Sequence, residues 1–167
     1  MIFLIDNLIT LMGYKMLLAK KNLNYFSLVL CAWFVTGCAS VPMASLDRDT
    51  QLKKFNPPPA NKSALYVYRD SFIGQALKKT VYLDKKILGE TANKVYFYKL
   101  INPGSHLIAT SSEFGQNGLK FNAAPGKNYF VKQYIKPGLI VGGSNVALVD
   151  ETVGKNAVLR CKLAQSN

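Results

Sequence analysis

The sequence predicts a mainly β protein, an antiparallel β-sandwich or small barrel with a short C-terminal helix. Three observations point there. From Ser63 onward, short runs rich in tyrosine, phenylalanine and branched aliphatic residues recur at regular spacing. Turn residues separate them, notably Asn102-Pro103-Gly104 and Pro125-Gly126, where proline presets the first turn position and glycine accepts positive φ. The chain of 167 residues supports one hydrophobic core rather than two. Its composition, 49% hydrophobic and 18% charged, excludes a disordered chain, and 12 glycines with 7 prolines exclude a collagen-like one.

The elements follow in chain order. Ala64-Leu65-Tyr66-Val67-Tyr68-Arg69 is a strand of aromatic and branched residues, and Thr80 to Asp84 is a second. Asp84-Lys85-Lys86 turns the chain into Ile87-Leu88-Gly89-Glu90, which makes a hairpin. Lys94 to Ile101 runs into the first Pro-Gly turn and pairs with His106 to Ser111. Leu119 to Ala123 leads to the second turn, and Tyr129 to Ile135 leaves it. Gly138 to Asn145 is a glycine-rich apolar segment expected to be a mobile loop, and Val146 to Val149 follows as a strand. Val153, Ala157 and Cys161 at helical spacing predict a helix over 153–163. Its weak point is Gly154, which costs about 1 kcal/mol in a helix interior.

The N-terminus carries the address. Lys20 and Lys21 precede the apolar run Tyr25 to Phe34, and Val35-Thr36-Gly37-Cys38 ends it with small residues, the three parts of a secretory signal. The apolar core is shorter than the ~20 residues a bilayer span needs, so a leader over residues 1–37 is expected to be removed. Met16 gives a leader of conventional length, which makes 1–15 an upstream start that the cell does not use. Val35-Thr36-Gly37-Cys38-Ala39-Ser40 resembles the lipobox of bacterial lipoproteins. The resemblance implies cleavage between Gly37 and Cys38, a diacylglycerol thioether on the Cys38 sulfur, and acylation of the new amine by a fatty acid such as palmitate. Two or three acyl chains anchor stably where one is marginal. By the lipoprotein sorting rule, Ala39 after the cysteine sends the protein of a Gram-negative source to the outer membrane, with its domain facing the periplasm.

Residues 38–62 show no sustained periodicity and end in Asn56-Pro57-Pro58-Pro59, so they are expected to be a lipidated, Pro-containing tether that holds the 63–167 domain clear of the lipid. The alternative is an edge strand, with Lys53, Lys54 and Phe55 covering the sheet. Within the domain, Val81 to Glu90, Asn102-Pro103-Gly104-Ser105-His106 and Ala124-Pro125-Gly126-Lys127-Asn128-Tyr129 occur in the order strand, acidic turn, Gly-Glu, strand, Pro-Gly-x-His, strand, Gly-Lys-x-Tyr. This order resembles an envelope β-sandwich of unknown function in bacterial lipoproteins, related in pattern to PEGA domains. The resemblance implies the sandwich and brings no reaction, cofactor or catalytic residue. The hairpin departs from that pattern, which favours glycine after the aspartate. Here Lys85 or Lys86 must take the left-handed conformation, at about 1–2 kcal/mol.

Residues that carry chemistry are sparse. His106 is the one histidine, at a strand start behind a turn, where packing explains it better than catalysis or metal binding. Cys31 leaves with the leader and Cys38 is consumed by lipid, so Cys161 stands alone. A buried thiol is expected there, with an intermolecular disulfide as the alternative. Gly142-Gly143-Ser144-Asn145 lacks the lysine of a phosphate-binding loop. Asp150-Glu151 are adjacent and suit a helix N-terminus rather than a pair of catalytic acids. No catalytic residue, cofactor, metal site or small-molecule substrate is assigned, and the protein is expected not to be an enzyme.

The formal charge is +12, and loss of residues 1–37 removes three lysines and Asp6, leaving +10. Lysines beside tyrosines superficially suit nucleic acid, but export argues against such a partner. The lysines are either solvated strand faces that guard sheet edges or contacts to anionic envelope polymers, such as lipopolysaccharide phosphates or peptidoglycan carboxylates. The functional expectation is an outer-membrane-anchored, non-enzymatic binding or structural module whose partners are the membrane and an anionic polymer or protein of the envelope. An accessory or inhibitor of an envelope enzyme is the alternative, and a cell-wall hydrolase the remoter one.

Overall fold

The computed structural model describes residues 40–140 and 142–167. The expected leader, its Gly37–Cys38 cleavage site and Val141 lie outside the described residues. The element order is α1 (Leu46–Leu52), β1 (Ser63–Arg69), β2 (Lys79–Leu83), β3 (Lys86–Thr91), β4 (Val95–Ile101), β5 (Gly104–Ser112), β6 (Gly115–Ala123), β7 (Asn128–Lys136), β8 (Gly143–Val149), α2 (Glu151–Leu159) and β9 (Lys162–Leu163). Two sheets pack face to face, one with strand order β8-β7-β1-β4-β9 and the other β3-β2-β5-β6. This is the mainly β sandwich with a short C-terminal helix that the sequence predicts. The second sheet is antiparallel throughout, whereas the first carries parallel pairs, β1 with β7 and β4 with β9.

β1 organises the molecule because every one of its residues is buried. Leu65 and Val67 point into the inter-sheet core with Val81, Leu88, Phe97, Ile108, Phe121, Val131 and Val146. Ala64, Tyr66 and Tyr68 alternate onto the other face, where Tyr96, Phe130, Ala157, Val158, Cys161 and Leu163 form a second core. A strand covered on both faces needs a nearly continuous apolar run, which Ala64 to Tyr68 supplies. Tyr66 stacks on Phe130 with ring centroids 4.9 Å apart and planes 13° from parallel. Such a pair contributes about 0.5–1.5 kcal/mol beyond its buried area. The β2–β3 hairpin solves its missing glycine by placing both Asp84 (φ 50°) and Lys85 (φ 68°) in the left-handed region. Positive φ at both central residues is the mark of the type I′ turn, whose twist matches that of the strands it joins.

The expected spacer over 38–62 is corrected by the structure. Val41 is buried, Met43 bridges Ala164, and the chain then turns through α1. Asp49 is buried, and its Oδ1 accepts the Leu163 backbone N–H at 3.0 Å. The Lys53 ammonium donates to Asp49 Oδ2 at 2.7 Å and to the Cys161 carbonyl at 2.6 Å. Tyr66 donates its hydroxyl to the Leu52 carbonyl at 3.0 Å, and Phe55 lays its ring against Tyr66 and Phe130. Phe55 thus covers the sheet, from a helical arm rather than an edge strand. A helix of seven residues has no stability of its own in water, so it exists because it docks. The physical reason for the misreading is that its anchors are single polar groups meeting distant backbone, which leave no periodic trace.

Two smaller differences concern the C-terminal part. The strand expected from Val146 begins at Gly143, because Ser144 is buried in hydrogen bonds to the other sheet. The helix expected over 153–163 covers Glu151–Leu159, and the chain then adds β9 beside β4. Gly154, its predicted weak point, is where α2 meets the sheet. A Cβ there would lie 2.2 Å from Cβ and Cγ of Phe130.

Candidate binding surface

All the connections that leave the upper edge of the sandwich gather at one end. The parallel register of β1 with β7, and the antiparallel registers around them, place the 70–78 loop, the β5–β6 turn at 113–114 and residues 137–140 together. Five large apolar side chains stand out on them: Phe72, Ile73, Phe114, Leu139 and Ile140, each between 62% and 87% exposed. Phe114 and Leu139 line one open groove of about 480 Å³, with Glu113, Asn117, Lys136 and Gly143 in its wall and floor. Single exposed apolar residues are ordinary on a soluble surface; several gathered on neighbouring loops mark a contact surface.

These loops are held from beneath by buried polar groups. Arg69, the last residue of β1, is fully buried and donates from Nη1 to the Leu77 carbonyl at 2.6 Å and from Nη2 to the Gly74 carbonyl. Burial pushes the Arg69 pKa down, and the two carbonyl contacts are what hold the charged head in place. Gly74 takes a positive φ of 68° and presses on Ile135, so a side chain there would meet both strain and clash. Lys79 donates to the Gly142 carbonyl at 2.8 Å, tying the first loop to the third. The Glu113 carboxylate accepts the Leu139 N–H at 2.8 Å and the Ile140 N–H, tying the second to the third. Beneath them Ser144 Oγ donates to the Ser111 carbonyl at 2.6 Å and lies 2.9 Å from Thr110 Oγ1, while Gln133 joins Thr91 and Thr110. Networks of this kind, in a low-dielectric interior, hold a surface in one shape, although the buried Arg69 Nε finds no partner. The rim is cationic, with Lys94 and Arg160 both paired to Asp70. Burial opposes ionisation of Asp70, yet the two cations hold its carboxyl below its usual range.

The residues singled out from sequence fall elsewhere. Cys38 and Gly37 lie outside the described residues. His106 sits at the opposite end of the sandwich, its ring against Phe121, with Nδ1 2.7 Å from Asp84 Oδ2 and Nε2 2.7 Å from the Asn102 carbonyl oxygen. Both partners are acceptors, so the ring satisfies both only as imidazolium. Burial works against that charge, but the Asn102 carbonyl and the Asp84 carboxylate outweigh it and raise the His106 pKa. This pair staples the β2–β3 hairpin to β5. Cys161 is buried, its thiol facing the Arg69 carbonyl at 3.7 Å. Burial, reinforced by Asp70, pushes the thiol up to about 12, so it is inert as a thiolate nucleophile. Asp150 is the N-cap of α2 and Glu151 pairs with Lys155 at 2.6 Å. Among the described residues, no group of three His, Cys, Asp or Glu is arranged to hold a metal ion, and no helix is long and apolar enough to cross a membrane.

Of the loop-tip residues, the sequence reading reached only Leu139 and Ile140, as part of an apolar glycine-rich segment. Phe72-Ile73 before Gly74 and Phe114 before Gly115 carry the same signal, large apolar residues in turns that no strand alternation explains.

The architecture defines a β-sandwich with a docked N-terminal arm and an apolar loop end tied down by hydrogen bonds from buried polar groups. Residues 59–144 match the family described as protein of unknown function DUF2846, and the chain belongs to that family. It is also 46% identical over 157 residues to an uncharacterized protein of Haemophilus influenzae (strain ATCC 51907 / DSM 11121 / KW20 / Rd), a match covering 93% of this chain and 90% of that relative. No solved structure matches the chain.

Proposed function

We propose that this protein is a lipoprotein anchored through Cys38 to the outer membrane, a non-enzymatic binding module that presents its loop end to a protein of the cell envelope. The observation that carries the binding role is the cluster Phe72, Ile73, Phe114, Leu139 and Ile140, exposed on three loops that buried polar groups hold in one shape. Preformed apolar tips suit a protein groove, since hydrated polysaccharide offers them little surface to dehydrate. The lipobox Val35-Thr36-Gly37-Cys38 supports the anchor. The match to the Haemophilus relative includes residues ahead of the proposed cleavage site, since it spans 157 residues and only 130 remain from Cys38 onward.

Replacing Cys38 with serine is expected to abolish palmitate labelling and to accumulate uncut precursor, read by gel mobility and intact mass. Unchanged labelling would remove Cys38 as the attachment site. A photo-crosslinker at Leu139 in living cells is expected to capture one envelope protein, with capture lost in a Phe114→Asp, Ile140→Asp double variant that remains folded and lipidated. Capture that persists in that variant would sink the loop-end assignment. An accessory or inhibitor of an envelope enzyme would use the same surface, and the identity of the captured protein separates it from a structural module. Turnover of cell-wall fragments by the purified protein, lost on substitution of a single acid, would overturn the non-enzymatic reading.

A further inference from the structure

The end of the sandwich opposite the apolar loops has its own composition. The turns there are 84–85, 102–103 and 124–127, and they bring Lys62, Lys85, Lys86, Lys120 and Lys127 to one end, with Lys99 on the adjoining edge. Lys85 and Lys120 border one shallow groove with His106, and Lys86 and Lys99 border the next with the half-exposed Ile87. The acids at this end are Asp84, held by His106 and the Leu107 N–H, Asp150 at the N-cap of α2, and Glu151, paired with Lys155. Among the described residues, Lys85, Lys86, Lys120 and Lys127 form no ion pair. At the loop end Lys94 and Arg160 pair with Asp70, and Lys79 and Arg69 donate to loop carbonyls, which leaves Lys78 and Lys136 without an ion pair against the four at this end.

The N-terminal arm leaves the domain toward this lysine end. Met43 pairs antiparallel with Ala164, the Gln165 N–H donates to the Pro42 carbonyl, and the C-terminal residues continue until Asn167 lies beside Leu88 and Lys99. Followed backward, the arm runs alongside them in the same direction, with Val41 buried and Ser40 exposed. From Cys38 to Val41 there are three residue steps, about 10 Å at full extension. The nine-residue strands β5, β6 and β7 make the sandwich about 30 Å tall, so such a tether cannot bring the loop end to the bilayer that holds the lipid.

We infer that the lysine end is a membrane-docking face: it rests on anionic phospholipid head groups beside the anchor and points the apolar loops away from the bilayer. The inference rests on Cys38 being lipidated and adds the orientation. Unpaired lysines within a Debye length of an anionic surface are attracted to it, which orients a domain that its acyl chains already hold at the bilayer.

The test uses the lipidated protein reconstituted into vesicles of phosphatidylethanolamine with phosphatidylglycerol. A fluorophore is placed at Lys85→Cys in one sample and at Leu139→Cys in another, and both are read against a quencher carried on lipid head groups. Cys161 is buried and stays unlabelled. At least threefold stronger quenching is expected at position 85 than at 139, falling to near equality in 0.5 M salt, in vesicles without phosphatidylglycerol, or when Lys86, Lys120 and Lys127 are replaced by glutamate. Equal quenching at the two positions in the anionic vesicles, or a bias unaffected by salt and lipid charge, would overturn the docking face while palmitate on Cys38 leaves the anchor standing. Absence of palmitate on Cys38 would overturn both together.

Discussion

Gly154→Ala is expected to destabilise the protein by about 2 kcal/mol, although alanine is the better helix former by about 1 kcal/mol. The added Cβ would lie 2.2 Å from both Cβ and Cγ of Phe130, well inside contact distance. Phe130 is 1% exposed and stacked on Tyr66, and it meets the helix with the base of its side chain, which no rotamer change withdraws. The helix must therefore lift from the sheet. Overpacking of this kind costs about 1–3 kcal/mol or more, enough to reverse the propensity gain. In a domain of this size the midpoint of thermal unfolding should fall by roughly 5–10 °C. A rise in that midpoint would mean that α2 is not seated on Phe130.

Asp49→Ala is expected to cost about 2–3 kcal/mol and to release the N-terminal arm. The substitution strips the acceptor from the buried Leu163 N–H and the counter-charge from Lys53, and a donor left unpaired in the interior bears its full desolvation penalty. Asp49→Asn retains an oxygen for Leu163 and should lose less than half as much. The readouts are the denaturant midpoint and trypsin cleavage after Lys53 and Lys54, which should accelerate at least tenfold in the alanine variant. Unchanged cleavage would show that α1 stays docked without its carboxylate. Under the anchor proposed at Cys38, an undocked arm would lengthen the tether from three residues to about twenty-five, and the domain would lose the fixed height and orientation proposed for it. Asp49 is a structural residue that holds the arm to the domain.

The features legible in the sequence share one property, which is that they are local. Ala64 to Tyr68 reads as a strand because aromatic and branched residues follow one another there, and the structure covers it on both faces. Pro103-Gly104 and Pro125-Gly126 fall at chain reversals, since both residues restrict or relax φ on their own account. Asp84-Lys85-Lys86 marks the β2–β3 reversal without a glycine, and both central residues accept positive φ to keep the two-residue hairpin. Gly154 flags itself as an anomaly in a helical pattern, but its reason, the Phe130 ring from a strand earlier in the chain, is invisible without the fold. Ser144 looks like a loop residue, and it is a strand residue because Thr110, Ser111 and Ser112 on the other sheet meet its polar groups. The arm over 41–55 looks like a spacer for the same reason, its partners lying more than a hundred residues away at Cys161 and Leu163.

By itself, then, the amino-acid order determined most of the strands, the sandwich class and the cationic character, because side-chain period, turn chemistry and charge act between near neighbours. The tertiary structure alone decided that β1 and β7 run parallel, that three separate turns meet as one apolar end, and that the lysines gather at the other end where the arm departs. Those are consequences of which distant segments exclude water from each other. A contact made across the sheet carries no mark in the residues on either side of it.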